Sequence, residues 1–332
     1  MSISPQALGP RKRLEWPSRL PFGVADLPLA MSYVYVAVMV AAVFALQPAL
    51  LDGPGAMGAN FSLVVPLALV AFGQTIAMLS RGIDLSVGGV ISVSSALLAT
   101  HLNARGWLLL PELLTIVVLG LLIGCLNGLI IAFTPIQPFI VTLATWSIWD
   151  GVAFGFLPIE GGTVSPTLIN ASSGGWLGVP KSVWIVVGLF VLWYWLRATR
   201  FIEDIVAIGS DENRARLLGV RVARRKIQAY AAIGVLAALA SIWVTAQTQA
   251  GSPNGGDQFI LNSVAAVVIG GTSIFGGKGS AASSIMGSIA FLLIPILVFA
   301  LNLTSFWSIF FEGLVLIVAV TFNSIIQTRA QR

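Results

Sequence analysis

Apolar runs approaching bilayer length recur along this chain from residue 31 almost to its end, with nothing between them large enough to form a water-facing domain. Stretches 31–51, 113–133, 185–196 and 314–326 carry no Asp, Glu, Lys or Arg until the edge of each run, and a helix needs about 20 apolar residues to cross a bilayer. Hydrophobic residues make up 57% of the 332 and charged residues 9%, against roughly 25% charged in an ordinary soluble domain. A soluble surface cannot be built from that. Core helices of a large soluble protein would be shorter, amphipathic and flanked by more charge. The fold class is therefore an all-α polytopic membrane protein of about ten transmembrane helices. Hydropathy places them at 30–51, 61–79, 86–103, 111–133, 138–157, 181–197, 227–248, 259–275, 281–301 and 305–326.

Charge sets the orientation. With the N-terminus inside, the cytoplasmic segments hold 16 of the 18 Lys and Arg residues, leaving Arg105 and Lys181 outside. Such asymmetry is what the positive-inside rule demands of a correct helix count, so both termini should be cytoplasmic. The chain divides into a basic tail over 1–29, a transmembrane domain over 30–326 with a cytoplasmic loop over 198–226, and a short tail over 327–332. The first apolar run is long and lacks a small-residue cleavage site, so it should remain as a helix. The net charge of +5 reports topology, and no aromatic-interleaved basic patch points to nucleic acid.

No catalytic or metal-binding constellation is visible. The single cysteine, Cys125, excludes an intramolecular disulfide and a Cys-ligated metal site, and the single histidine, His101, reads as an interfacial polar residue. TSIFGGKGS at 272–280 approaches a phosphate-binding loop, but Thr272 stands where glycine is needed and Gly279 where Ser or Thr is needed. A membrane span precedes it instead of a strand. No cofactor is expected on this chain.

Two glycine-punctuated breaks stand in similar places, RGIDLSVGG at 81–89 and GGTSIFGGKGS at 270–280. Each precedes a helix opening with small residues (Ser92, Ser94, Ser95, Ala96; Ala281, Ala282, Ser283, Ser284) that permit close helix approach. With five spans before the sixth, which enters from the opposite side, the halves should be inverted repeats. In the long cytoplasmic loop, Asp211 can cap a short helix over 212–218 with Gly219 as its left-handed stop. A helix so short needs a partner surface.

GIDLSVGG at 82–89, GLLIGCLNGLIIAF at 120–133, PFIVTLATWSIWDG at 138–151, AIGSDENRARLLGV at 207–220 and AAVVIGGTSIFGGKGS at 265–280 together resemble the ribose-type permeases of ABC importers, over about residues 61–322. The branched-chain amino acid permeases are more distant relatives. The resemblance implies a multi-pass protein of the bacterial inner membrane that forms a translocation path for a monosaccharide. It would work as a pair, with a second copy of itself or a paralogous permease, surrounded by membrane lipid. A cytoplasmic ATPase with two nucleotide-binding domains would hold the ATP and Mg, and a periplasmic sugar-binding protein would deliver substrate. Coupling to the ATPase would fall to Asp211, Glu212, Asn213, Arg214, Arg216, Leu217, Leu218 and Gly219. Candidates for the path or its gates are Asp84, Ser86, Asn127, Thr142, Asp150, Asn262 and Glu312. Asp150 and Glu312 stand where the family usually has bases, and Ile260 and Asn262 where it usually has acids. Import of another small polar solute is the alternative. A proton-coupled carrier using Asp84, Asp150 and Glu312 as relays, or a non-transporting scaffold, is less consistent with these motifs.

Overall fold

A computed structural model describes residues 27–46 and 53–330. The basic cluster Arg11–Arg13, the end of the expected first span and Arg332 lie outside the described residues. The first half comprises α1 (Leu27–Leu46), α2 (Gly53–Leu79), α3 (Val87–Thr100), α4 (Leu109–Phe133) and α5 (Pro138–Phe156). A connection follows, made of α6 (Pro166–Ser172) and a hairpin of β1 (Gly175–Trp176) and β2 (Val179–Pro180). The second half comprises α7 (Lys181–Leu196), α8 (Arg200–Ser210), α9 (Glu212–Leu217), α10 (Val222–Thr248), α11 (Asp257–Ile269), α12 (Ala281–Ala300) and α13 (Ser305–Ala330).

Each expected span coincides with a helix, but only five helices are long and apolar enough to cross a membrane among the described residues: Phe61–Leu79, Gly106–Phe133, Pro138–Phe156, Val222–Thr248 and Ala281–Ala300. A sixth candidate joins α7 to α8 through a 76° bend. The expected spans at 86–103 and 259–275 are shortened to α3 and α11, of 14 and 13 residues. At ~1.5 Å per residue each rises only about 20 Å. The reason is local. Glycine and proline in 250–256 and glycine in 270–280, where Gly271 has φ 81°, take the chain out of helical geometry around α11, and the 80–86 stretch does the same before α3. The expected loop 198–226 is also more ordered than hydropathy suggested, since it contains α8 and α9 and the first residues of α10.

The bundle is built around α2. Of its apolar window 89% is buried, against 22% for α5, so α2 is wrapped by protein while α5 presents most of its surface outward. Helix α2 packs on α10, α11, α12 and α7, and α10 packs on α4, α2 and α3. The small residues heading α3 and α12 are all buried.

The α4–α10 seam is a close approach lined by glycine. A methyl group on Gly124 would overlap the Tyr230 carbonyl, and one on Gly120 or Gly234 would overlap the other's carbonyl. Without a hydrophobic force between helices in lipid, such proximity is what dispersion and weak polar contacts require. Gly124→Ala should therefore force the helices apart and cost roughly 1–3 kcal/mol, lowering the thermal unfolding midpoint in detergent. Gly151, on the open side of α5, has nothing within 4 Å of an added methyl; Gly151→Ala should leave that midpoint unchanged or raised. Equal midpoints for Gly124→Ala and the native chain would refute the seam.

Candidate functional site

At one end of the bundle α8, α9 and the start of α10 form a braced platform. Helix α8 is amphipathic, burying Ile202, Ile205 and Ile208 while Arg200 and Glu203 face outward. Asp211 then leaves helical geometry and its carboxylate accepts from the Arg214 amide at 3.0 Å, the cap expected from the sequence. Ala215 is buried with Ile208 and Val222. Arg225 Nε donates to Asp204 Oδ2 at 2.7 Å and Lys226 Nζ to Glu212 Oε2 at 2.8 Å, so α10 grips both small helices. Arg216 also reaches Glu212 at 2.6 Å. The helix ends at Leu217, one residue earlier than expected, with Leu218 at φ −80° as its cap and Gly219 left-handed at φ 83°. Asn213, Arg214 and Arg216 are exposed. Leu217 and Leu218 are 87% and 69% exposed, an apolar pair at the polar end of a membrane protein.

The Arg214 amide on its carboxylate holds Asp211 below the usual carboxylate range. Burial pushes Glu212 up, but Lys226 and then Arg216 pull it down further, and the net shift is downward. In both, the folded value lies below the unfolded one. Their support for α9 is therefore complete above the ordinary carboxylate range of about 4 and is lost as pH falls through the lowered folded values. Hydrogen exchange at the Arg214 amide should show constant protection from about pH 7 to about pH 5 and a loss only at lower pH. Loss of protection already above about pH 5 would contradict the assigned cap.

The second cluster fills the break between α2 and α3. Asp84 is 1% exposed; its Oδ1 accepts from the Ser86 amide at 2.8 Å and from the Ser86 hydroxyl at 2.6 Å. Both bonds go to Ser86, the residue before α3, so Asp84 shapes the turn at Ser86. Asn127 of α4 donates to Ser86 Oγ at 2.7 Å, and Thr142 of α5 donates to the Ile83 carbonyl at 3.1 Å. In the amide orientation that satisfies both groups, Gln74 of α2 pairs with the Asp84 backbone N–H and C=O at 3.2 and 3.1 Å. Tyr230 packs its hydroxyl on Gly82. The sequence reading missed Gln74 and Tyr230; a lone amide inside an otherwise apolar helix was the available signal for Gln74. Asp84, Ser86, Asn127 and Thr142 thus come together from two helices and one break.

The other candidates lie apart. Asp150 of α5 sits beside Ser92 and Asp257, and its Oδ1 is buried without a hydrogen-bond partner among the described residues. Trp146 Nε1 donates to Asp257 Oδ1 at 3.1 Å, and the Gly256 amide donates to Ser92 Oγ at 3.2 Å. The start of α11 is thereby fastened to α3 and α5. Asn262 lines a cavity of about 970 Å³ between α2, α10, α11 and the hairpin, whose side chains include Ser62, Gln247 and Gln258. Glu312 is half-buried on α13.

A helical bundle with interrupted helices, polar groups buried at the interruptions and a capped helix held out from one end defines the membrane-embedded part of a transport system. Residues 57–320 match the family described as the branched-chain amino acid transport system permease component, and the chain belongs to that family. It is 35% identical over 273 residues to the ribose import permease of Haemophilus influenzae, covering 79% of this chain and 83% of that one. It is 34% identical over 263 residues to the ribose import permease of Bacillus subtilis, covering 76% and 79%. The autoinducer 2 import permease of Salmonella choleraesuis is 33% identical over 276 residues, covering 82% and 79%. No solved structure matches the chain.

Proposed function

We propose that this chain is the membrane-spanning subunit of an ATP-driven importer of a sugar of the ribose type, with no catalytic activity of its own. Its resemblance to ribose and autoinducer 2 import permeases supports a small polyhydroxylated solute. The observation that carries the coupling role is α9: a short helix, capped and braced by ion pairs, that leaves Leu217 and Leu218 uncovered. ATP and Mg would be bound by a cytoplasmic ATPase with two nucleotide-binding domains seated on α9. A periplasmic binding protein would deliver the sugar at the opposite end, and the chain would lie in the bacterial inner membrane.

The finer architecture we infer is ten spans in two inverted five-helix halves with both termini inside. Helix lengths support it, because α2 and α10 are both 27 residues. Each is followed by a left-handed residue, Arg81 and Gln249, then a non-helical stretch, then a short helix. Packing is paired as well: α4 lies on α10 as α12 lies on α2, and α5 lies on α3 as α13 lies on α11. In this correspondence the counterpart of 80–86 is 250–256, and 270–280 takes a different place.

Two permeases would form the path, with the exposed face of α5 in the pairing region. Asp150 and Asp257 lie close on that side, which favours a paralogous partner carrying basic residues over a second copy. An active purified complex whose mass holds two copies of this chain and no other permease would end that preference. The function itself is tested in proteoliposomes containing the permease, its ATPase and its binding protein. ATP-dependent D-ribose uptake is expected; uptake that persists without ATP and disappears with an uncoupler would overturn the proposal.

A further inference from the structure

Arg81 follows α2 with φ 64°, a left-handed conformation that favours glycine and that a long side chain adopts at a cost. Its side chain spans two other parts of the chain. Nε donates to the Phe275 carbonyl at 2.9 Å in the 270–280 loop, and Nη2 donates to the Ser210 carbonyl at 2.8 Å at the end of α8. The Ser210 carbonyl is one of the last in α8 and has no intrahelical donor, and a cation is favoured at that end.

The three segments are locked by contacts that tolerate no side chain. The Gly277 amide donates to the Leu79 carbonyl at 3.0 Å, and Gly209 of α8 is pressed on the same carbonyl. Gly276, at φ 85°, has the Arg81 side chain and the Gly209 carbonyl against it. Ser210 is followed immediately by Asp211, the cap of α9, and the Arg81 charge also acts on the Asp211 carboxylate. In the other direction Arg81 is followed by Gly82, Ile83 and Asp84, whose carboxylate organises the break before α3.

We propose that Arg81 is a positioning residue that carries movement of α9 into two membrane-helix interruptions at once, the 80–86 break before α3 and the 270–280 loop before α12. The inference rests on the reading of α9 as the ATPase-docking element. A planar guanidinium presents donors in fixed, diverging directions, so it holds the two carbonyls at a set spacing. A displacement of α8 and α9 then moves both partners of Arg81 together. A lysine offers one compact head on a flexible stem and can hold one carbonyl firmly but not both.

The test compares Arg81→Gly and Arg81→Lys with the unaltered chain in the reconstituted complex of permease, ATPase and binding protein. Glycine suits the left-handed conformation, so Arg81→Gly should insert and assemble normally while the clasp is lost. The ATPase should co-purify at full stoichiometry and basal hydrolysis should be unchanged. Uptake of D-ribose should fall on the order of tenfold, raising the ATP consumed per sugar, and Arg81→Lys should recover part of it. Native uptake and native ATP-to-sugar ratio in Arg81→Gly would overturn the proposal. So would a loss of uptake matched by an equal loss of assembled complex, which marks a purely structural role. The docking reading is judged separately, by whether the ATPase still binds when Leu217 and Leu218 are both replaced by aspartate.

Discussion

Replacing Leu217 and Leu218 together by aspartate should abolish both ATPase co-purification and sugar uptake while leaving membrane insertion and the size-exclusion profile of the permease intact. The separation is expected because the two side chains are 87% and 69% exposed, so the permease itself loses little; surface changes of this kind usually fall within about 0.5 kcal/mol. A partner's groove loses much more. Each leucine buried on docking contributes roughly 1.5–3 kcal/mol, so losing both weakens the complex by at least ~100-fold. Two carboxylates forced into an apolar groove weaken it further. The cap at Asp211 and the ion pairs of Glu212 with Lys226 and Arg216 remain, so α9 itself stays folded. Measuring ATPase retained on the affinity-tagged permease, together with uptake, decides the matter. Unchanged transport in the double variant would exclude α9 as the docking element.

Asp84→Leu should eliminate transport and lower expression, whereas Asp84→Asn should retain most of both. Leucine removes the acceptor for the Ser86 amide and hydroxyl in a position 1% exposed, and each buried polar group left unpartnered costs roughly 1–3 kcal/mol. Asn127, which donates to the same Ser86 hydroxyl, would lose its fixed partner as well. Asparagine keeps an acceptor oxygen in the same place. Its lack of charge should matter little, because Asp84 takes part in none of the ion pairs among the described residues. Equal damage from asparagine and leucine, read as uptake per inserted permease, would mean that the charge is needed and that the turn-shaping role is wrong.

Much of this was legible in the amino-acid order because membrane burial and capping are local. Runs of apolar residues located every long helix, and Asp211, with Gly219 eight residues on, marked the two ends of α9 to within one residue. The role of Asp84 was half legible: a carboxylate between glycines announced a shaped break, but hydropathy could not show that Gln74, Asn127 and Thr142 converge on it. Those residues are separated by up to 68 positions and belong to three different helices. The amphipathic α8 was hidden because a charged loop was read by its charges, while its three isoleucines bury only once α2 and α10 are in place.

The order of residues by itself determined that the chain is a multi-pass helical membrane protein, since backbone groups in lipid must be satisfied within each helix and hydropathy alone selects the segments. It also determined where the chain is interrupted, through glycines, a proline and the left-handed positions they favour. Only the tertiary structure decided which interruptions meet. The breaks at 80–86 and 270–280 looked like separate counterparts in the sequence; in the fold they lie against each other, joined by Arg81 to Phe275 and Ser210 and by Gly277 to Leu79. Such a junction depends on carbonyls and glycine backbones brought within hydrogen-bond distance by helix packing, and backbone atoms carry no identity that a sequence can display.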